Sequence, residues 1–515
     1  MDKKLFSDQM VQALPWTILV KLIMFVLYFL MSILIVRLLG PRDYGIYSLC
    51  KNMMSYLIIF CGLGLSNSAL RHIPELLVKD NHLGVRTYLN KSIGLQLGMG
   101  IFFLIVMYFA QPWLSILFHV DFKYYLIVTV FLATATTTKD YLYNLFYAKY
   151  NTRILAKTTL INGLTWPTLA VILMLVGLKA GGVLLSELFS IFIVLWTLSR
   201  IIHKTHPRPQ TLDQPPMSGI GKQRVAILSL TFMANALLSL LLSQQTQTFI
   251  IGYFEGPIQV GFYNAGSYLP QMALSFIPQA IYGIFTAGFV ESFVRQSSEL
   301  KPMVMAFYKG LILGILPLAV FGIAFGDSMM TILYGSKMSG AGWIMQSFFF
   351  LSILPFISMP LSMAITATEK NYRMLPYLVL QVVLNLSLSW ILIKHFSILG
   401  ALIAVFLTFF LTIPFRLLEV KKILGGIYFP GRFFGKILLS TMVVLLLLPL
   451  KAYIRQAWSL GLIAATYASL IIIVIRQFSF FTQEDISILS NRSHPIYRFI
   501  LKCLVKHNNS DVPSA

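Results

Sequence analysis

Apolar runs long enough to cross a lipid bilayer recur along this whole chain, separated by short segments with charged residues or Gly-Pro breaks. A helix needs roughly 20 apolar residues to span the hydrocarbon core of a bilayer. Because a backbone in lipid must satisfy its own hydrogen bonds, spans of this length are restricted to α-helices. With 57% hydrophobic and only 11% charged residues, the chain is predicted to be an all-α polytopic membrane protein and not a soluble domain.

Breaks at charge clusters and Gly/Pro turns predict about 14 transmembrane helices. Twelve of them form two groups of six, and two extra helices follow. The predicted spans lie at about 11–37, 46–68, 89–110, 124–147, 154–178 and 181–201, then 225–253, 260–290, 303–325, 341–367, 374–394 and 398–418, and finally 433–452 and 457–475.

A short motif indicates that the two groups of six are repeats. Gly40-Pro41 opens the pattern Gly-Pro-x-x-x-Gly-x-Tyr, and the same pattern returns 216 residues later at Gly256-Pro257. Proline removes a backbone donor and restricts the residue before it, so each copy is predicted to form a tight turn between two helices. Asn151-Thr152-Arg153 and Asn371-Tyr372-Arg373 form a second echo at nearly the same offset. We therefore predict two pseudo-symmetric six-helix lobes.

The predicted organisation has five parts. These are an N-lobe at 1–202, a cytoplasmic linker at 203–224, a C-lobe at 225–422, the two extra helices at 423–476 and a cytoplasmic tail at 477–515. If the N-terminus is inside, 29 of the 40 Lys and Arg residues fall on cytoplasmic segments and 8 fall on outer segments. This bias predicts that both termini are cytoplasmic. It also accounts for the net charge of +22 without a nucleic-acid partner.

The charged residues inside the predicted spans include Lys21, Lys51, Lys139, Asp140 and Glu187. A charged side chain at the bilayer centre costs about 2.5–3.5 kcal/mol on insertion scales, so each is expected to face a partner or a wet cavity. For Lys21 and Lys51 two interpretations are open, a cavity-lining position or extension of the side chain to the headgroups. Glu187 is predicted to neutralise one of the lysines.

The fourth span carries a polar face. Lys139, Tyr143 and Tyr147 are spaced i, i+4 and i+8, which places them on one side of a helix, with Asp140 beside them. One interpretation is a hydrated cavity in which the tyrosines stack on sugar rings and the lysine meets an anion. The other is an aromatic belt near the inner membrane surface, with Lys139 paired to a carboxylate such as Asp140.

The second half of the chain offers amides in place of charges. Such side chains serve either as hydrogen bonds between helices or as contacts to a hydroxyl-rich ligand. They are Asn235, Gln244, Gln245, Gln247, Gln271 and Gln279. The sequence contains no phosphate-binding Gly-rich loop, no His-Glu-x-x-His and no Gly-x-Ser-x-Gly motif. We therefore expect a protein that is not an enzyme, with no catalytic residues, no metal and no cofactor.

Two stretches resemble a known family. Residues 37–48, from Arg37 to Ser48, are similar to the junction of spans 1 and 2 in the polysaccharide flippases of the multidrug/oligosaccharidyl-lipid/polysaccharide (MOP) exporter superfamily. The Gly62-Leu63-Gly64-Leu65 stretch and the segment from Ala69 to Glu75 resemble the end of span 2 in that family. The resemblance implies a MATE-like fold. It also implies a flippase that moves an undecaprenyl-diphosphate-linked oligosaccharide, such as an O-antigen unit for lipopolysaccharide, to the outer leaflet of the cell inner membrane by alternating access.

Relatives in that family use cationic residues in a central cavity, which assigns candidate roles to residues of this chain. The candidate substrate-binding residues are Lys21, Lys51, Lys139, Asp140, Tyr143 and Tyr147, and Arg71 is the candidate gate. The expected partners are the lipid-linked oligosaccharide, membrane lipids, and the glycan polymerase and glycosyltransferases of the same pathway. The protein itself is expected to be a monomer.

Two alternative functions follow from other classes of membrane protein. A drug/cation antiporter of the same superfamily is disfavoured because no acidic residue interrupts the first or the seventh span. A membrane glycan polymerase or ligase, which is an enzyme, is disfavoured because the predicted outer loops are short.

Overall fold

The computed structural model describes residues 3–78, 81–148, 152–205, 221–294, 300–367, 371–426, 429–454 and 456–477. Most of the predicted linker at 203–224 and nearly all of the predicted tail at 477–515 lie outside these ranges, so both remain predictions. The first copy of the Asn-x-Arg echo also begins outside them, at residue 151.

The described residues fold into helices and contain no strand. The helices are α1 Lys3–Gly62, α2 Leu65–Val78, α3 His82–Phe118, α4 Lys123–Ala148, α5 Thr152–Leu175, α6 Lys179–Thr205, α7 Lys222–Leu241, α8 Gln244–Glu255, α9 Pro257–Val294, α10 Leu300–Met329, α11 Gly342–Leu351, α12 Leu354–Ala367, α13 Leu375–Leu424, α14 Gly431–Thr441, α15 Val444–Leu447 and α16 Ala457–Gln477. Short 3₁₀ or π turns occupy 330–341, 371–374 and 448–453. The all-α prediction is confirmed.

Ten stretches of the described residues are long and apolar enough to cross a membrane. Two of them, Ile23–Leu76 with 54 residues and Leu375–Ile423 with 49, exceed the length of one crossing. The predicted count of 14 crossings therefore stays a prediction. Helix α3 exposes large apolar side chains, among them Phe109, Trp113 and Ile116. An exposed apolar surface of this kind suits contact with lipid, and the chain is a multi-pass membrane protein.

The two Gly-Pro turns have the same backbone conformation. Gly40 has φ 71° and ψ 179°, and Gly256 has φ 79° and ψ −174°. Only glycine adopts these angles without strain. Gly40 interrupts α1, and Gly256 separates α8 from α9, which begins at Pro257. The predicted turns are confirmed, and the matching angles support the predicted repeat.

Other boundaries agree with the sequence in part. The predicted break between about 394 and 398 is present at Ser397, which has φ 53° and ψ −135° within α13. Within the predicted span at 46–68, a turn at Leu63–Gly64 separates α1 from α2. The predicted span at 225–253 is also interrupted, at Leu242–Ser243 between α7 and α8.

The helices cluster into two compact units. The first contains residues 1–264 and 389–398, and the second contains 265–388 and 399–515. In the first unit α1 packs on α4, α5 and α6, and α4 also packs on α2 and α3. In the second unit α10 packs on α11, α12 and α14. These units are defined by contacts and have other bounds than the predicted lobes at 1–202 and 225–422, which were defined by the sequence repeat and stay a prediction.

Candidate functional site

The two copies of the Gly-Pro motif pack against each other within the first unit. A Cβ atom at Gly45 would overlap the carbonyl oxygen of Pro257, and a Cβ atom at Gly261 would overlap that of Pro41. The two contacts are equivalent: in each, the second glycine of one motif copy meets the proline carbonyl of the other copy. The absence of side chains at both glycines lets two helix starts meet backbone to backbone, as small residues do in membrane helix pairs.

A set of polar side chains lies among α1, α4, α5 and α6, and we call it the interior polar cluster. Its members are Tyr28 and Lys51 on α1, Lys139 and Asp140 on α4, Asn162 on α5 and Glu187 on α6. These four helices carry long apolar stretches. The packing of α1 on α4 and α6, and of α5 on α6, brings residues far apart in sequence to one place.

Lys51 and Glu187 form the tightest ion pair in the interior polar cluster. The Lys51 ammonium donates to both carboxylate oxygens of Glu187, over 2.7 and 2.9 Å. The two side chains are 31% and 19% exposed. The predicted neutralisation of a lysine by Glu187 is confirmed, and the pair joins α1 to α6.

Lys139 is more buried and less tightly paired. Its side chain is 16% exposed, and its ammonium lies 3.4 Å from an oxygen of Asp140, a side chain that is 47% exposed. The same ammonium lies 5.8 Å from the ring centre of Tyr143. Glu187 also acts electrostatically on Lys139, so this carboxylate links both lysines.

A neutral hydrogen-bonding group completes the cluster. Tyr28 lies near the side chain of Asn162 and packs 5.6 Å from the ring of Trp166, between ring centres. Ser190 of α6 donates to the side-chain oxygen of Asn162 over 2.9 Å. These contacts fix the positions of α1, α5 and α6 around the charged residues.

The charges of the cluster balance within the described residues. Lys51 and Lys139 contribute two positive charges, and Glu187 and Asp140 contribute two negative charges. An anion entering the site competes with a carboxylate for each lysine. Asp140 is the weaker competitor, because its contact with Lys139 is longer and its carboxylate is more exposed. Lys139 is therefore the cation that an incoming anion reaches at the lower cost.

The remaining predicted site residues are placed differently. Lys21 lies in α1, but its side chain is outside what the structure describes. Tyr143 is partly buried beside Lys139, whereas Tyr147, one helical turn further on, is 51% exposed. Arg71 is exposed on α2 and borders a groove next to α7. The structure thus brings Lys51, Lys139, Asp140 and Tyr143 close to one another, whereas Arg71 lines a groove that contains none of them.

Sequence reasoning missed the neutral part of the cluster. Asn162 stands out as an amide in an apolar helix, and Thr165 follows it at i+3 on the same face. That spacing is a usable signal, since Thr165 and Asn162 both bond to Ser190. Among the second-half amides, Gln247 is buried and donates to Ser389 over 3.5 Å, which is the predicted use between helices.

The fold and the cluster together define a class: a multi-pass helical membrane protein with charged side chains inside a helix bundle. Residues 34–341 match the model of the family described as polysaccharide biosynthesis protein. The chain belongs to that family. The matched residues include both Gly-Pro motifs and every member of the interior polar cluster except Tyr28.

One curated relative is the succinoglycan biosynthesis transport protein ExoT of Rhizobium meliloti (strain 1021). It is 23% identical over 334 residues, which are 62% of this chain and 62% of the relative. The match therefore spans less than two thirds of the length of ExoT. By its name this relative is a transport protein.

Solved structures of transporters share the fold. The lipid II flippase MurJ, in an inward closed conformation, superposes with a TM-score of 0.66 at 13% identity, over 88% of this chain and 98% of MurJ. An inward-facing multidrug resistance MATE family transporter of the MOP superfamily has a TM-score of 0.55 at 14% identity, over 77% of this chain and 96% of the transporter. The MATE/MOP-like fold predicted from the sequence is confirmed.

Proposed function

We propose that this chain is a flippase for an undecaprenyl-diphosphate-linked oligosaccharide. The lipid-linked sugar moves from the inner to the outer leaflet of the cytoplasmic membrane, for cell-surface polysaccharide biosynthesis. The observation that supports this most directly is Lys139, a buried cation beside an aromatic ring in a helix bundle, held by a carboxylate that an anion can displace. Membership of the polysaccharide biosynthesis protein family supports the sugar substrate.

Each residue of the site has a distinct proposed role. Lys139 contacts the diphosphate, which attracts a lysine ammonium as a point charge. Asp140 holds Lys139 until the diphosphate arrives, and Tyr143 contacts a sugar ring. Lys51 is retained by Glu187 and joins α1 to α6, so that its ammonium is close to the bound diphosphate without leaving its partner. Lys21 and Tyr147 are the remaining proposed substrate contacts.

The proposed mechanism is alternating access by two six-span lobes, at 1–202 and 225–422, whose repeats share one orientation in the membrane. Both termini are cytoplasmic in this proposal, and Arg71 acts as a gate. Glycosyltransferases build the substrate on the cytoplasmic side, and a glycan polymerase uses it on the outer side.

Lys139→Gln should reduce surface polysaccharide at least about tenfold, because a charge-assisted contact to phosphate is lost. The measurement is surface polysaccharide in cells that lack the chromosomal gene and express the variant, normalised to the amount of protein in the membrane. Lys157→Gln is the matched control, since Lys157 is an exposed lysine on the neighbouring helix α5. Wild-type polysaccharide in the Lys139→Gln cells, at equal protein level, would remove Lys139 from the mechanism.

A further inference from the structure

A groove of about 610 Å³ runs beside α2 and α7, and we call it the α2–α7 groove; its lining residues include no member of the interior polar cluster. Arg71, His72 and Arg224 form its polar side, and Ile227, Leu228 and Phe232 of α7 form its apolar side. A site with one charged side and one apolar side suits an amphiphilic ligand.

His72, in the wall of the groove, is buried without a hydrogen-bond partner among the described residues. Its side chain is fully buried at 0% exposure. Neither ring nitrogen has a hydrogen-bond partner among the described residues, although the edge of the ring packs against Tyr88 with 6.0 Å between ring centres. Buried polar groups in proteins are nearly always hydrogen-bonded. A neutral imidazole has one N–H donor, so the wall of the groove offers a donor that the described protein groups do not use.

The charges beside His72 favour an anion. Arg224 donates to Glu75 over 3.2 Å and remains about half exposed, while Arg71 is exposed one residue before His72. Arg71 and Arg224 bring two positive charges to the groove, and Glu75 neutralises one of them, which leaves a net positive charge. A guanidinium has five N–H donors in a fork that matches phosphate oxygens, and a single contact to Glu75 leaves most of those of Arg224 available.

The apolar side of the groove argues for a lipid as the source of the phosphate. Ile227 lies about one turn along α7 from Arg224 and Leu230 nearly two turns, and both are more than half exposed. They continue the apolar face of a helix that is long and apolar enough to cross a membrane. A free phosphate ion gains nothing from such a surface, whereas the chain of a membrane lipid buries apolar area on it.

We propose that the α2–α7 groove binds the phosphate or diphosphate headgroup of a membrane lipid. Arg71, His72 and Arg224 donate to the phosphate oxygens, and the apolar face of α7 contacts the lipid chain. This site rests on the proposed function and extends it, because it gives a diphosphate-linked lipid a second binding site, separate from Lys139. Binding at this groove does not require that the protein transports anything.

The test is binding of farnesyl diphosphate to the purified full-length protein in detergent, measured in a Lys139→Gln background so that the interior polar cluster does not contribute. Arg71→Gln and His72→Gln should each weaken binding about tenfold or more. Arg200→Gln is the matched control, because Arg200 is exposed on α6 and stacks on the exposed ring of Trp196. Arg71 is exposed, so its variant tests the proposal even if His72→Gln fails to fold.

Two further probes separate the sources of the phosphate. Farnesol and inorganic diphosphate should both bind at least about tenfold more weakly than farnesyl diphosphate, since each lacks half of the contacts. Equal binding of inorganic diphosphate would overturn the lipid assignment, and equal binding of farnesol would overturn the phosphate assignment. Unchanged binding in both Arg71→Gln and His72→Gln would overturn the location. If cells show that no polysaccharide is transported, these binding results stand unaltered, so the two proposals fail separately.

Discussion

Gly45→Ala should lower the free energy of unfolding by about 3 kcal/mol, because the added methyl group would occupy the position of the Pro257 carbonyl oxygen. A flexible side chain can move away from a new methyl group, but at Gly45 the opposing atom belongs to the backbone. Residue 257 is also a proline at the start of α9, with a fixed φ. The two helix starts must therefore separate. Loss of folded protein on heating in detergent is the measurement.

Gly261→Ala should cost about as much as Gly45→Ala, since its methyl group would meet the Pro41 carbonyl oxygen in the exchanged contact. The double variant should cost less than the sum of the two, because one separation relieves both overlaps. Gly98→Ala is the matched control. Gly98 is exposed on α3, and a methyl group there would meet nothing within 4 Å, so this change is neutral or stabilises by up to about 1 kcal/mol. Equal stability of Gly45→Ala and Gly98→Ala would show that the contact between the motifs contributes nothing.

The sequence contains the turns of the repeat but not their contact. Gly-Pro predicts a local break because the restrictions of proline act on adjacent residues, and both breaks are present at Gly40 and Gly256. The contact between Gly45 and Pro257 depends on how α1 packs against α9. Local sequence rules do not predict that packing. The matched motif indicated that the two turns are equivalent; the structure adds that they touch each other.

Helix ends were predicted less well than helix positions, for a physical reason. Hydropathy reports where lipid surrounds a helix, and helices continue past that point. Helix α3 begins at His82 and includes Arg86, whereas the apolar pattern predicts a span at about 89–110. The span bounds passed over the turn at Leu63–Gly64 because it lies within one apolar run without charge or proline, although Gly62 and Gly64 lie there.

For the candidate site, the sequence shows which residues are charged but not how they pair. Glu187 lies 136 residues from Lys51, and sequence spacing does not show that its direct partner is Lys51 and not Lys139. Asp140 adjoins Lys139 in sequence, so that pair was among the interpretations available from spacing alone. The neutral contacts around Asn162 join residues of three helices, so they could not be predicted before the packing of those helices was known.

Glu187→Gln should lower the free energy of unfolding by about 2–3 kcal/mol, since it leaves the ammonium of Lys51 among apolar helices without its carboxylate partner. This is less than for a fully buried pair, because Lys51 is 31% exposed and water screens part of its charge. Lys51→Met should cost a similar amount, because it leaves the Glu187 carboxylate alone. The double variant, with both charges removed, should recover much of the loss, as apolar replacement of a buried pair often does. Thermal unfolding of the four proteins in detergent gives the coupling energy.

A surface ion pair in the same unit supplies the control for this cycle. Lys179 lies 3.5 Å from Asp43, and its side chain is 68% exposed, so Lys179→Met should change stability by less than about 1 kcal/mol. If Lys51 instead leaves Glu187 to bind substrate, the ion pair is not a permanent contact between α1 and α6. Glu187→Gln would then retain wild-type stability and lose only transport. A coupling energy near zero would thus move Lys51 from the connection between α1 and α6 to the anion-binding role proposed for Lys139.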